Sequence, residues 1–203
     1  RRLSGDCSAV YAIRGHHAGY YPGAEQMVLK LVFDTKTRRI LGAQAVGGGG
    51  VDKRIDIIAT LMHFKGTIDD LAGLDLTYAP QFGAAKDPVH IAAFVAQNQA
   101  DGRLRQILPG DPAVHGQLVD VRTPAEVAAG TLPGAVNIPL QRLRENLGQL
   151  NKQQPITVFC QVGQRGYMAA RILMQSGFQE VWNLAGGYIL HKDSWAKSIN
   201  ARA

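Results

Sequence analysis

The sequence predicts two small domains in tandem. An α+β unit, an antiparallel sheet with helices, is expected over residues 1–100, and an α/β unit, a parallel sheet with helices on both faces, over residues 101–203. In the first half Met27, Leu29, Leu31 and Phe33 recur at every second position, the period of a half-buried strand. In the second half short apolar runs at 118–121, 156–159 and 181–184 alternate with helix-type stretches, which is the pattern of a parallel sheet. Polarity rises over 98–105 and places the boundary near Ala100. A chain of 203 residues can supply a core to each of two such units.

Taken in order, residues 8–14 read as a strand and 26–46 as an antiparallel hairpin turning at Asp34-Thr35-Lys36-Thr37. Gly47 to Gly50 end the hairpin. Asp52 is expected to cap a helix that carries Ile55, Ile58, Ala59 and Met62 to about Lys65. Thr67 caps a shorter helix, and Pro88 suits the first turn of a helix running from Val89 to about Gln97. Beyond the boundary, 118–121 is a strand, Thr123-Pro124-Ala125-Glu126 starts a helix, and 135–139 is a further strand. Helices are expected over 140–150 and 166–176, with strands at 156–159 and 181–184 between and after them.

Composition narrows the function classes. Hydrophobic residues make up 46% and charged residues 19%, which excludes a disordered chain. No apolar run reaches the roughly 20 residues of a membrane span, and no secretion signal is legible, so the expectation is a cytoplasmic protein without membrane contact. The net charge of +6 is spread over Arg1-Arg2, 36–39, Arg103 and Arg105 rather than gathered in one patch, which argues against a nucleic-acid partner. The six histidines, including the pair His16-His17, show no convergent ligand spacing, and no metal is expected. Cys7 and Cys160 are too few for a disulfide framework.

Cys160 stands where chemistry is expected. It follows the apolar strand at 156–159, and a loop leaving the carboxyl end of a parallel strand for a helix N-terminus offers a ring of backbone N–H groups. Gly163 and Gly166 allow Cys160-Gln161-Val162-Gly163-Gln164-Arg165 to curl, while the helix dipole and the Arg165 guanidinium favour a thiolate. Such a sulfur can accept a second sulfur as a persulfide. The opposing reading, a small hydrophobe that ends a strand, suits most solitary cysteines.

Asp120-Val121-Arg122, Gly130 to Ala135 with Pro133-Gly134-Ala135, Asn137-Ile138-Pro139, the Cys160 loop, and Leu184-Ala185-Gly186-Gly187 with Trp195 together resemble a rhodanese-like domain over 101–203. The resemblance implies sulfurtransferase chemistry, with Cys160 and Arg165 catalytic and Gln161, Val162, Gly163, Gln164 and Gly166 forming the persulfide loop. It gives Asp120 and Arg122 a loop-supporting role. Gly130-Thr131-Leu132 departs from the family, which often has a histidine there. The Cys-x4-Arg spacing is one residue shorter than the phosphate cradle of a related phosphatase fold, and by resemblance suits sulfane sulfur.

His17-Ala18-Gly19-Tyr20-Tyr21-Pro22-Gly23, Val51-Asp52-Lys53-Arg54-Ile55-Asp56, Leu76-Thr77-Tyr78-Ala79-Pro80 and Lys86-Asp87-Pro88 resemble the dimerisation domain of pyridine nucleotide-disulfide oxidoreductases, in the coenzyme A disulfide reductase branch. That resemblance implies a homodimer through residues 1–100, with Tyr20 and Tyr78 reaching the partner's substrate sulfur, and leaves Cys7 structural. The parent enzyme would use FAD, NAD(P)H and coenzyme A. Gly47-x-Gly49-x-x-Asp52 lacks the third glycine of a dinucleotide fingerprint, so no cofactor is expected on this chain itself. The opening Arg1-Arg2-Leu3-Ser4 reads as entering in mid-domain.

The leading expectation is therefore a C-terminal fragment of a coenzyme A disulfide, persulfide or polysulfide reductase whose Cys160 carries sulfane sulfur from small-molecule donors to thiol acceptors such as coenzyme A. The alternatives are a stand-alone thiosulfate sulfurtransferase and a non-catalytic sulfur-binding or docking module.

Overall fold

The structure, a computed structural model, describes residues 6–111 and 115–200, with the backbone alone over 194–200. The Arg1-Arg2 cluster and the side chain of Trp195 lie outside the described residues. Two compact units meet between Asp101 and Gly102.

In the first unit β1 (Cys7–Gly15), β2 (Gln26–Asp34) and β3 (Ile40–Gly47) form an antiparallel sheet in the order β1-β2-β3. Alternation along β2 sends Met27, Leu29, Leu31 and Phe33 into the interior, none more than 1% exposed. The β2–β3 turn is closed by the Asp34 carboxylate, which accepts from the N–H groups of Lys36 and Thr37 and from the Thr37 hydroxyl. These bonds hold the Asp34 carboxyl below its usual range.

Helix α1 (Val51–His63) starts two residues earlier than a cap at Asp52 would place it. Gly50 is the N-cap, in a left-handed conformation, and Asp52 lies in the first turn, where its charge complements the helix dipole. Thr67 caps α2 (Ile68–Ala72) as expected, through a reciprocal capping box with Asp70. Helix α3 (Pro88–Ala100) has Pro88 at its first position and Asp87 as its N-cap. Ala92, Ala93 and Ala96, all fully buried, keep α3 close to the sheet, where it shares a core with Val10, Leu31 and Leu71.

One ion pair organises this unit. Arg54 of α1 is 1% exposed and donates through Nε and Nη2 to both carboxylate oxygens of Asp87, at 3.1 and 2.6 Å, and also to the carbonyls of Gly50 and His16. Two stretches far apart in sequence, 51–56 and 86–88, are thereby joined. A buried pair of this kind persists only when its remaining hydrogen-bonding groups are satisfied, as here.

In the second unit all pairings are parallel, in the order β4-β8-β7-β5-β6, with β4 at Arg105–Ile107, β5 at Gln117–Asp120, β6 at Val136–Asn137, β7 at Ile156–Phe159 and β8 at Val181–Leu184. Ile156, Thr157, Val158 and Phe159 are all fully buried, so the central strand is covered on both faces, as parallel sheets require. The helices are α4 (Pro124–Ala128), α5 (Gln164–Gln175) and α6 (Gly187–Asn200). Residues 140–150 do not form the expected α-helix. They make two 3-10 turns, Leu140–Arg142 and Arg144–Gln149, in which the Asn146 side chain bonds the Arg142 carbonyl and competes with the regular helical pattern.

Candidate active site

Cys160 leaves the carboxyl end of β7 and is 1% exposed. The chain turns over Gln161, Val162 and Gly163 and enters α5 at Gln164. Gly163 has φ +99°, the left-handed region that side chains avoid, and its N–H donates to Cys160 Sγ at 3.2 Å. Gly166 was expected to serve the same turning role, but its φ is ordinary. Its requirement is close approach: a Cβ there would stand 2.2 Å from Asn183 Oδ1. Asn183 of β8, 1% exposed, donates to the Gly163 carbonyl at 3.1 Å and so fixes the corner of the loop.

The back of the loop is held by α6. The N–H groups of Tyr188 and Ile189 donate to the carbonyls of Cys160 and Gln161 at 2.7 and 3.2 Å. In a trans peptide the carbonyl and the following N–H point in opposite directions. Tying these two carbonyls to α6 therefore aims the N–H groups of Gln161 and Val162 away from it. The loop has acceptors behind and donors in front.

Two guanidinium groups meet the loop, and each is paired. Arg122, 2% exposed, donates through Nε and Nη2 to Asp120, through Nη1 to Gln161 Oε1 at 3.1 Å, and through Nη2 to the Gly130 carbonyl, while stacking 4.1 Å from the Tyr188 ring centroid. Asp120, fully buried, also accepts from the Thr131 hydroxyl at 2.7 Å, and Asn137 ties down the carbonyls of Asp120 and Arg122. The threonine that stands where the family often has histidine is thus a donor to this carboxylate.

Arg165 forms a two-bond fork with Glu126, Nη1 to Oε2 at 2.8 Å and Nη2 to Oε1 at 2.6 Å. The Glu126 hydrogen bond holds the guanidinium above its usual range, with the charge and sulfur of Cys160 contributing in the same direction. The Glu126 carboxyl is pulled down to about 2, first by Arg165 and then by the Thr123 N–H and hydroxyl. Of the expected residues, then, Cys160 and Gly163 meet directly, Arg165 reaches the sulfur's surroundings, and Gln161 is held by Arg122. Val162 completes the turn, Gln164 opens α5 and is exposed. Sequence reasoning missed Glu126, Asn183 and Tyr188. The Thr123-x-x-Glu126 spacing of a capping box was the one available signal for Glu126.

In the first unit Tyr20 and Tyr78 come together across 58 positions, their hydroxyls 2.8 Å apart. Both are exposed, at 77% and 48%. The hydrogen bond with Tyr20 pushes the Tyr78 phenol above its usual range. The Gly47–Gly50 turn follows a strand of an antiparallel sheet rather than the parallel strand of a dinucleotide fingerprint, and the side chains of Glu25 and His16 lie against Gly48 and Gly49. Among the described residues no three His, Cys, Asp or Glu side chains converge, and no helix is long and apolar enough to cross a membrane.

Comparison with known proteins matches each unit to a family. Residues 8–88 match the pyridine nucleotide-disulphide oxidoreductase dimerisation domain, and residues 102–191 match the rhodanese-like domain. The crystal structure of reduced Bacillus anthracis CoADR-RHD is 38% identical with a TM-score of 0.86, covering 97% of this chain and 35% of that one. Each unit thus matches a known domain family, and the chain joins the two in tandem. A NAD-dependent persulfide reductase from A. fulgidus is also 38% identical, with a TM-score of 0.84 over 91% of this chain and 34% of that one. The coenzyme A disulfide reductase of Staphylococcus haemolyticus is 44% identical over 84 residues, 41% of this chain and 19% of that relative. The chain spans about a fifth of the curated relative it matches and about a third of the two solved chains. Both resemblances read from the sequence are met, and the Cys160 loop belongs to the rhodanese-like half.

Proposed function

We propose that Cys160 carries sulfane sulfur as a persulfide, within an FAD- and NAD(P)H-dependent coenzyme A disulfide, persulfide or polysulfide reductase. The observation that supports it is the one-sided loop. A buried sulfur at the end of the central strand receives the Gly163 N–H, and the loop carbonyls are turned away to α6. Such a front favours an electron-rich terminal sulfur over a proton-donating group.

The transfer balances without net oxidation. The Cys160 thiolate attacks the outer sulfur of a donor, one sulfur–sulfur bond forms as another breaks, and the donor's leaving group takes the electron pair. A second thiolate, that of coenzyme A or another thiol, then attacks the outer sulfur and releases Cys160 unchanged. Arg165 and the loop N–H groups are the catalytic and binding groups. Asp120, Arg122 and Asn183 position the loop.

Two further elements of the reading rest on the first unit. A homodimer formed through residues 1–100 would place the exposed Tyr20–Tyr78 pair against a partner, where two phenols can donate to a departing thiolate without adding charge. The two free thiols suit a reducing, cytoplasmic setting.

The test is intact mass after exposure to polysulfide, beside Cys160→Ala. A gain of one sulfur, about 32 Da, that is absent in the variant and discharged by coenzyme A is the expected result. Absence of any gain overturns the sulfur-carrying role.

A further inference from the structure

We propose that Glu126 is the donor-selecting residue of the Cys160 cradle: by neutralising Arg165 it disfavours dianionic sulfur donors relative to donors of lower charge. The inference rests on Cys160 being a sulfur carrier, and it names the class of donor. Both guanidinium groups that meet the loop are already forked onto carboxylates, Arg122 onto Asp120 and Arg165 onto Glu126. The Asp120 pair is buried and further fixed by Gln161, the Gly130 carbonyl and the Thr131 hydroxyl. The Glu126 pair is about one-third exposed, and its guanidinium interacts with Cys160.

The charge of Glu126 exceeds what its local structure needs. Its Oε2 closes the α4 capping box by accepting from the Thr123 N–H and hydroxyl, a task that glutamine performs equally well. The second oxygen and the negative charge serve Arg165 alone. A cradle whose cations are all neutralised still offers N–H groups to sulfur, but supplies little net attraction for a group with two negative charges. Specificity is a difference between two affinities, and a carboxylate beside the site is a repulsive element against the more highly charged donor.

Two donors that deliver the same sulfane sulfur isolate this effect. Thiosulfate passes its outer sulfur to the Cys160 thiolate and departs as sulfite, a dianion from a dianion. Methanethiosulfonate does the same and departs as methanesulfinate, a monoanion from a monoanion. In both, one sulfur–sulfur bond forms as one breaks, and total charge is unchanged.

The experiment is the rate of persulfide formation on the full chain with each donor, read by intact mass, for the unaltered protein, Glu126→Gln, Glu126→Asp and Thr123→Ala. The unaltered protein is expected to prefer methanethiosulfonate. In Glu126→Gln the thiosulfate-to-methanethiosulfonate rate ratio should rise on the order of tenfold, and added salt should suppress the gain. Glu126→Asp keeps the charge and should keep most of the preference. Thr123→Ala weakens the α4 cap and removes one hydroxyl donor to Glu126 Oε2 but keeps both charges of the ion pair, and should leave the ratio unchanged.

A ratio that Glu126→Gln does not move, or that Thr123→Ala moves equally, overturns the selecting role while leaving Cys160 a carrier. Preference for thiosulfate in the unaltered protein does the same. Failure of every variant to load from either donor overturns the carrier reading itself, and this one with it.

Discussion

Removing the Arg122 side chain would leave the Asp120 carboxylate, fully buried, with only the Thr131 hydroxyl and the Arg122 main-chain N–H as donors among the described residues. Breaking one side of such a pair costs about 3–5 kcal/mol, because an uncompensated charge stays in the interior. Arg122→Ala is therefore expected to destabilise the rhodanese-like unit by that amount in urea denaturation. Arg122→Lys should recover part of the loss, since an ammonium restores the charge but not the planar fork that reaches Asp120, Gln161 and Gly130 together. Asp120 and Arg122 were legible because Asp120-Val121-Arg122 is one of the stretches that resemble a rhodanese-like domain. Glu126 did not, because its pairing with Arg165 spans 39 positions and only the fold brings the two together.

Among the elements, α5 shows how a helical residue can be chosen against propensity. Alanine is favoured over glycine in a helix by about 1 kcal/mol. At Gly166, however, a Cβ would press within 2.2 Å of Asn183 Oδ1, and overpacking of this kind costs about 1–3 kcal/mol. The second effect is the larger. Gly166→Ala is expected to lower the melting temperature of the unit and to slow persulfide loading, because the displaced Asn183 also bonds the Gly163 carbonyl. Helix α2 follows the simpler rule: Thr67→Ala removes its capping box and should cost about 1 kcal/mol by thermal denaturation, with no effect on loading. Legibility in the sequence tracked element length and periodicity. The nine residues of β2, with four inward side chains, were plain. The three residues of β4 carry no readable alternation and become a strand only by pairing with β8, and the two residues of β6 are held mainly by β5. At 140–150 apolar spacing suggested a helix, and local side-chain bonding tightened it to 3-10 turns.

Across the whole molecule, two units with separate cores meet at Asp101 and Gly102, and each is expected to keep its secondary structure when produced alone, as circular dichroism of the two halves would show. Acidification should weaken the second unit in two stages. Burial lowers the ionisation of His191 from its usual 6.5, against the opposing hydrogen bond to the Ala185 carbonyl, so the folded state binds fewer protons than the unfolded chain just below that value. Stability should begin to fall as pH drops through 6.5, and His191→Asn should flatten this first stage in a pH series of urea melts. Glu126 adds the second stage. Its carboxylate is favoured in the fold, so its contribution is complete above 4.5, declines as pH falls below that value and is gone below about 2.

The attachment of the Cys160 loop to α6 has a kinetic meaning as well. A peptide plane whose carbonyl is already bound cannot flip without first breaking that bond, and two consecutive planes are held in this way. The empty and sulfur-loaded forms should therefore share one backbone, with the added atom entering a space shaped before it arrives. Loading would then proceed with no loop rearrangement on its path, and its rate should be indifferent to solvent viscosity until donor encounter itself becomes limiting.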